Sequence, residues 1–174
     1  MPTMMRLVTS MRVRGTLWLG VVIVTGCGQS DSATLEANKA VVRHWAELED
    51  QGQIGALADL VTPDCVFHYP GGAEVRGTDA LLQNAARSVS AFSDQHRRVD
   101  FEVAEGDLVA TRYTFSARHT GEYLGVPPTG NDITLTFMSL CRMAGGRMAE
   151  CWIELDSQVM MRQLGAGTDP TGAD

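Results

Sequence analysis

The 174-residue sequence is poor in aromatic residues, in basic residues and in long apolar runs. Aromatic side chains make up 6% of the chain, and 14 lysines and arginines stand against 21 acidic residues, which gives a formal charge of −7. Because binding to phosphates requires clustered basic residues, this composition argues against nucleic acid as a partner. The apolar run at residues 16–26 is shorter than the roughly 20 residues that a membrane-spanning helix needs.

Cysteine and histidine are also scarce, with four residues of each. The sequence has no C-x-x-C motif, and the histidines are scattered along the chain, whereas zinc sites have closely spaced ligands. We therefore expect neither a metal nor another cofactor. The overall composition, 44% hydrophobic and 20% charged, is typical of one soluble globular domain.

An export signal precedes the globular part of the sequence. Residues 1–15 carry three arginines and no acidic residue, and the apolar run with small residues follows them, as in secretory signals. The run ends in Val24-Thr25-Gly26-Cys27, which resembles the lipobox of bacterial lipoproteins, whose cysteine receives lipid. We therefore expect a signal peptide over residues 1–26 and a lipid-anchored protein in the bacterial cell envelope, facing outside the cytoplasm. Residues 27–34 are expected to be the lipidated cysteine and a polar tether.

The periodicity of the remaining chain predicts helices first and strands afterwards. Three segments have helical spacing: residues 35–52, 54–61 and 78–92. Residues 64–70 are rich in β-forming side chains and predict one strand among the helices. From Arg97 onward the period changes to two, and turn signals divide the segment into a four-strand antiparallel meander. The sequence thus predicts an α+β domain over residues 35–165, followed by a flexible tail over residues 166–174.

Four segments of this domain resemble a known family in their order and spacing. They are PDCVFHYP (Pro63–Pro70), the loop region Glu105–Gly130, the hairpin Arg142–Asp156 and RQLG (Arg162–Gly165). Together they resemble the SnoaL-like branch, named for polyketide cyclases, of the nuclear-transport-factor-2-like superfamily. The resemblance implies a cone-shaped fold in which three N-terminal helices pack on a strongly curved, mostly antiparallel sheet. It also implies a small-molecule pocket on the concave face and homodimers formed through the convex face.

The last hairpin determines which side chains face this pocket. A three-residue turn at residues 144–146 predicts that Phe137 lies opposite Ile153 and that Ser139 lies opposite Cys151. One mostly apolar face then contains Phe137, Ser139, Cys141, Cys151, Ile153 and Leu155. In this register Cys141 and Cys151 are diagonal neighbours, too far apart for an unstrained disulfide, so we expect both to be reduced.

The resemblance predicts that the cyclase chemistry is absent. In the polyketide cyclases one pocket aspartate acts as general acid/base in an intramolecular aldol step. In this chain that position falls on Ile153, and the polar residues that assist it fall on Phe137 and Ser139. Since isoleucine cannot transfer a proton, we expect a pocket that binds a small apolar molecule. Its expected ligand-binding residues are Trp45, Phe137, Ser139, Cys151 and Ile153.

Three polar residues favour an alternative function, in which the protein is an enzyme. Asp156 ends the last strand, and if it faced the pocket it would be an acid/base for an ester cyclase, isomerase or dehydratase. His68 or His119 would assist it from VFHYP and ARHTG. Each residue also has a structural interpretation: Asp156 as a helix cap, His68 as a hydrogen-bonded structural histidine and His119 as an anchor for the loop that follows it.

The expected anchor predicts that Cys27→Ser moves the protein from the membrane fraction to the soluble fraction. The reason is that the acyl chains on Cys27 are the only membrane attachment that the sequence predicts. Fractionation of cells followed by immunoblotting measures this distribution. If wild type and Cys27→Ser were equally soluble, the lipoprotein interpretation would be wrong.

Overall fold

Three α-helices, two 3₁₀ helices and six strands make up residues 27–166, the part of the chain that our computed structural model describes, with side chains from residue 31 onward. The predicted signal peptide lies outside the described residues, as do residues 167–174 of the predicted tail. The elements are α1 (Cys27–Asp50), β1 (Val61–Tyr69), β2 (Ala73–Arg76), α2 (Thr78–Ser90), β3 (Phe92–Glu105), β4 (Leu108–His119), β5 (Asp132–Ala144), β6 (Arg147–Leu155) and α3 (Ser157–Gln163). The 3₁₀ helices are Ile54–Leu60 and Pro70–Gly72. Among the described helices, none has the length and hydropathy of a membrane span.

The six strands form one sheet in the order β2-β1-β6-β5-β4-β3. The pairing of β1 with β6 is parallel, and the other four pairings are antiparallel. This confirms the predicted α+β class with helices on a mostly antiparallel sheet. The sequence analysis missed β2, because four residues are too few to show a period.

The two faces of the sheet differ in their cover. The face that we call the inner face is packed against α1 and α2, and its core joins Val42 and Leu81 of these helices to Phe67, Tyr113 and Cys151 of the sheet. On β4 every second residue from Val109 to His119 is buried, as expected for a strand with one covered face. The opposite, outer face carries exposed apolar side chains, among them Val103 and Leu140.

The start of α1 differs from the sequence prediction, whereas α2 begins at the predicted residue. Helix α1 begins at Cys27 and includes residues 27–34, where the sequence predicted a tether. No proline interrupts this segment, and its one glycine, Gly28, lies in the first turn, so a helix can extend through its small polar residues. Helix α2 begins at Thr78, and the N-cap position is Gly77, whose φ of 79° suits glycine.

The β5–β6 hairpin has a different register from the predicted one. Gly145 and Gly146 form a two-residue turn with φ of 57° and 75°, the positive values that a type I′ turn requires. A bulge next to Met143 then shifts the pairing, so that Ser139 lies opposite Ile153 and Phe137 opposite Leu155. The total shift is two residues, which restores each side chain to its predicted face.

The same shift corrects the prediction for the cysteines. Cys141 lies directly opposite Cys151, with a Cα–Cα distance of 4.1 Å, and the two form a disulfide. The prediction that they stay reduced is therefore wrong, because it placed them as diagonal neighbours. Cys65 is a buried free cysteine in the same core.

Candidate functional site

One row of side chains crosses the inner face through four adjacent strands. Glu102 on β3 pairs with Thr111 on β4, Thr111 pairs with Ser139 on β5, and Ser139 pairs with Ile153 on β6. Direct partners in antiparallel strands place their side chains on the same face. The row therefore brings together a carboxylate, two hydroxyl groups and an isoleucine beneath α1.

Aromatic rings surround this row. Trp45 of α1 stacks on Phe67 with ring centroids 5.5 Å apart, and Tyr113 stacks on Phe137 at 4.6 Å. Ile153 and these rings belong to the core between α1 and the sheet, yet several of them are only partly buried. Partly exposed apolar groups on a covered face are suited to contact with a small molecule.

The predicted ligand-binding residues all lie on this inner side. Trp45, Phe137 and Ile153 are partly buried, whereas Ser139 is 8% exposed and Cys151 is fully buried in its disulfide. Cys151 therefore has no exposed surface with which to contact a ligand. The structure brings the five residues together, and their binding of a ligand stays a prediction.

Glu102 is the carboxylate that sequence analysis missed. The alternation Val99, Phe101, Val103 predicts that these three residues share a face, but a bulge between Val99 and Phe101 shifts the pairing. Phe101 and Val103 therefore face outward, 55% and 61% exposed, and Glu102 faces inward. No local signal in the sequence marks this bulge.

Glu102 is held by one residue of the sheet and one of α1. Its side chain is 5% exposed; its Oε1 accepts a hydrogen bond from Thr111 Oγ1 at 3.1 Å, and its Oε2 accepts one from Arg43 at 2.7 Å. Burial raises the pKa of Glu102, and the Thr111 hydrogen bond and the Arg43 charge offset part of this increase. The carboxylate is thus removed from water, while each of its two oxygens accepts a hydrogen bond from the protein.

The hydroxyl groups next to Glu102 are buried as well. Tyr113 is 4% exposed, and burial raises its pKa to about 12, an effect that the nearby hydroxyls of Ser139 and Thr111 partly offset. Ser139 Oγ is buried and makes no hydrogen bond with any residue that the structure describes. Buried polar atoms are normally paired, so this oxygen is a candidate contact for a ligand.

A second carboxylate on the inner side is the largely buried Glu49 of α1, whose side chain is 15% exposed. Glu49 lies one helical turn after Trp45, and its Oε2 is 3.1 Å from Arg97 Nε on β3. Burial raises the pKa of Glu49, although Arg97 acts in the opposite direction. The pKa values of Tyr69, Tyr113 and Tyr123 are raised by burial and further by the charge of Glu49.

His68 faces away from the inner side. It lies on the outer face, where its Nε2 is 3.0 Å from Glu150 Oε1 and its Nδ1 is 3.1 Å from Glu74 Oε1. Its ring stacks on Trp152 with centroids 5.3 Å apart. This arrangement joins β2, β1 and β6, in agreement with the structural interpretation of His68.

Asp156 caps α3. Its Oδ1 accepts hydrogen bonds from the backbone N–H groups of Gln158 and Val159, both at 3.0 Å, and the side chain is exposed. It borders a surface groove of about 330 Å³ that is lined mainly by outer-face residues such as Met138 and Glu154. The cap interpretation is confirmed, and no bulge turns Asp156 inward.

His119 lies on the inner face but in a separate cluster. It is fully buried, its Nδ1 is 3.0 Å from Thr129 Oγ1, and its ring is 5.6 Å from that of Phe92. Thr129 belongs to the loop after β4, so His119 anchors that loop as its structural interpretation predicted. Its Nε2 has no hydrogen-bond partner among the described residues.

The three predicted acid/base residues therefore do not converge: His68 lies on the outer face, Asp156 at the start of α3, and His119 beside the loop after β4. Within residues 31–166, no group of His, Cys, Asp and Glu has the arrangement of a metal site. The inner row with Glu102 and Ser139 is the candidate site that the structure supports best.

Comparison with known proteins agrees with this architecture. The chain is 29% identical over 130 residues to the aklanonic acid methyl ester cyclase AcmA of Streptomyces galilaeus, covering 72% of this chain and 89% of AcmA. Among solved structures, IdmH of Streptomyces antibioticus is 31% identical with a TM-score of 0.65, covering 74% of this chain and 98% of IdmH. A SnoaL-like protein of Jannaschia sp. CCS1 has a TM-score of 0.72 at 20% identity, covering 78% of this chain and 96% of its own. The family model for the SnoaL-like polyketide cyclases matches residues 39–164, and the chain therefore belongs to this family.

Proposed function

We propose that this protein binds a small apolar molecule against the inner face and lacks the ring-closing step of its cyclase relatives. The observation that carries this proposal is the composition of β5 and β6. The acidic residues of β6, Glu150 and Glu154, pair with Arg142 and Met138 on the outer side, whereas Ile153 occupies the inner row opposite Ser139. On these two strands the inner face offers no carboxyl group to a ligand.

The energetics favour an apolar ligand. The partly exposed rings of Trp45 and Phe137 and the side chain of Ile153 would lose contact with water when a ligand covers them. Each Å² of apolar surface that a ligand removes from water contributes roughly 25 cal/mol of favourable free energy. A charged ligand would have to leave water for the same surroundings, which is costly without a partner charge.

The relatives support a small organic ligand. AcmA and the protein DnrD of Streptomyces peucetius are by name cyclases of aklanonic acid methyl ester. We infer that this chain keeps the binding function of that architecture while the proton-transferring side chain on the last strand is replaced. The domain would act at the bacterial cell envelope, attached through lipid on Cys27.

Ile153→Asp tests the proposed binding face. The substitution places a carboxyl group in the inner row, where an unpaired buried ionisable group destabilises a protein by roughly 2–5 kcal/mol. Denaturant melts measure the free energy of unfolding, and the fluorescence of N-phenyl-1-naphthylamine measures binding, which should weaken. The control is Ala37→Glu at an exposed position of α1, which should change stability by about 0.5 kcal/mol or less. A near-neutral Ile153→Asp with unchanged probe binding would assign the ligand to another face.

We also propose that the outer face forms a homodimer. Phe101, Val103, Met138 and Leu140 are between 38% and 61% exposed on this face. Val103, Ala110, Leu140 and Trp152 follow one another as direct partners across four strands, which makes the apolar surface continuous. Contiguous apolar surface of this kind is typical of interaction sites.

Leu140→Glu should convert the dimer into a monomer, because it places a charge in the middle of this apolar row. Light scattering of the chain from Ser30 onward measures the mass, and wild type should give twice the monomer value. Ala37→Glu, at an exposed position of α1, should leave the mass unchanged. A wild-type monomer at micromolar concentration would contradict the proposal.

The buried carboxyls of the inner side favour a second candidate function, an enzyme that transfers protons. Glu102 and Glu49 both have pKa values raised by burial, and Tyr113 lies close to Glu102. Raised carboxyl pKa values are characteristic of general acid/base residues. In this candidate the carboxyl comes from β3 or α1, and Asp156 keeps its capping role.

Glu102→Gln should change how stability depends on pH. A carboxyl whose pKa is raised by folding binds protons more readily in the folded state, so its contribution to the free energy of unfolding decreases as the pH rises above the ordinary pKa of about 4.3. As the pH rises above about 4.5, wild type should therefore lose stability relative to Glu102→Gln until the folded-state carboxyl is ionised. Glu105→Gln, exposed on the same strand, is the control and should follow wild type. Parallel profiles for wild type and Glu102→Gln would remove Glu102 as an acid/base candidate.

A further inference from the structure

We propose that oxidation of Cys141 and Cys151 is the step that makes the inner face able to bind its ligand. The disulfide selects one of two registers of the β5–β6 hairpin, and the reduced chain is divided between both. This inference rests on the ligand binding and the location outside the cytoplasm proposed above, and it adds a redox control to the same site.

Two registers of this hairpin place the same side chains on the same faces. In the observed register, the two-residue turn and the bulge beside Met143 place Ser139 opposite Ile153. In the second register, a three-residue turn without the bulge places Ser139 opposite Cys151 instead. Because side chains alternate along a strand, a shift of two residues leaves the apolar face buried in both registers. Hydrophobic burial therefore does not select between them.

The disulfide does select between the registers. In the observed register Cys141 and Cys151 are direct partners, with a Cα–Cα distance of 4.1 Å. In the second register they are diagonal neighbours, too far apart for an unstrained bond. The bond also lies close to the bulge, which locally disrupts the ladder of backbone hydrogen bonds. Once formed, the disulfide therefore excludes the second register and holds the bulged one.

The register determines which side chains meet in the inner row. The pair next to the disulfide on the same face is Ser139 and Ile153, which continues the row from Thr111. In the second register Ile153 would lie opposite Phe137, and Cys151 would take its place opposite Ser139. Both Phe137 and Ile153 contribute partly buried apolar surface to the proposed binding face. A ligand that fits the observed arrangement therefore binds only the molecules that have this register.

Burial determines when the bond can form. Cys151 is fully buried and Cys141 is 3% exposed, in a core that α1 covers. A redox partner therefore reaches these thiols before the core closes, while the chain folds. Oxidation joins the two sulfurs and releases two protons and two electrons, which reduce the disulfide of an oxidant to two thiols. Because the cytosol keeps thiols reduced, an exported chain would complete its binding site only outside the cytoplasm.

Refolding the chain from Ser30 onward under two redox conditions tests this inference. One sample folds with oxidised glutathione, which is reduced to two glutathione thiols, and the other folds with dithiothreitol. Fluorescence of N-phenyl-1-naphthylamine then gives both dissociation constants. The reduced chain should bind roughly 10-fold more weakly, as expected when about a tenth of the molecules have the binding register. Cys65→Ala, which removes only the buried free thiol, should respond to oxidation as wild type does.

Nuclear magnetic resonance measures the register itself. The Cα–Cα distance of 4.1 Å places Cys141 and Cys151 among the non-hydrogen-bonded pairs, and such pairs alternate along antiparallel strands. Ser139 and Ile153, two residues further along, are therefore also a pair of this closely spaced type. The oxidised chain should show a nuclear Overhauser effect between the Hα atoms of Ser139 and Ile153. The reduced chain should show, in addition, one between the Hα atoms of Ser139 and Cys151.

The double variant Cys141→Ala/Cys151→Val, which cannot form the bond, should resemble reduced wild type under both conditions. Circular dichroism reports whether each sample is folded. Equal affinities with the same Hα contacts in the oxidised and reduced chains would overturn the inference. Loss of the whole fold on reduction would also overturn it, because the bond would then control folding and not the register. If the oxidised chain bound no probe, the proposed function would fail, and the Hα contacts would still decide the register.

Discussion

The parallel pairing of β1 with β6 is the constraint on which the rest of the structure depends. It joins the N-terminal half of the domain to the antiparallel meander, in a register that places Phe67 beside Cys151 and His68 beside Trp152. Because side chains alternate along a strand, this register directs Phe67 to the inner face, where it meets Trp45, and His68 to the outer face. A shift by one residue would exchange these faces and place a histidine in the core.

Ion pairs then fix α1 above the inner row. Arg43 of α1 contacts Glu102 of β3, and Glu49 and Asp50 of α1 both contact Arg97 of β3. Buried ion pairs add little to the free energy of unfolding, because the cost of removing both charges from water offsets most of their attraction. Their geometry is more informative than their energy, because they hold the part of α1 that carries Trp45 and Glu49 against β3.

The domain shares the architecture of its family, and the side chains of the inner row determine what chemistry is available on that architecture. The element order, the three helices and the curved sheet agree with the cyclase family, whose model matches residues 39–164. The inner row, however, has its carboxyl at the β3 end and an isoleucine at the β6 end. A fold positions side chains without prescribing their chemistry, so the function has to be argued from the row itself.

The sequence by itself determined the features that depend on local periodicity and capping. Helical spacing predicted α1 and α2, alternation predicted the faces of β5 and β6, and the position of Asp156 after the last strand predicted a helix cap. The predicted faces were correct although the predicted hairpin register was wrong, because a register error of two residues leaves each side chain on the same face.

Only the tertiary structure decided the features that depend on bulges and on pairing between distant strands. The bulge after Val99 turns Glu102 inward and Phe101 outward, against the apolar alternation of that segment. The bulge beside Met143 brings Cys141 opposite Cys151, and the pairing of β1 with β6 turns His68 outward. The physical reason is the same in each case: a bulge is stabilised by the strands on both sides of it, and a parallel register by contacts across many residues, so neither leaves a period that the local sequence shows.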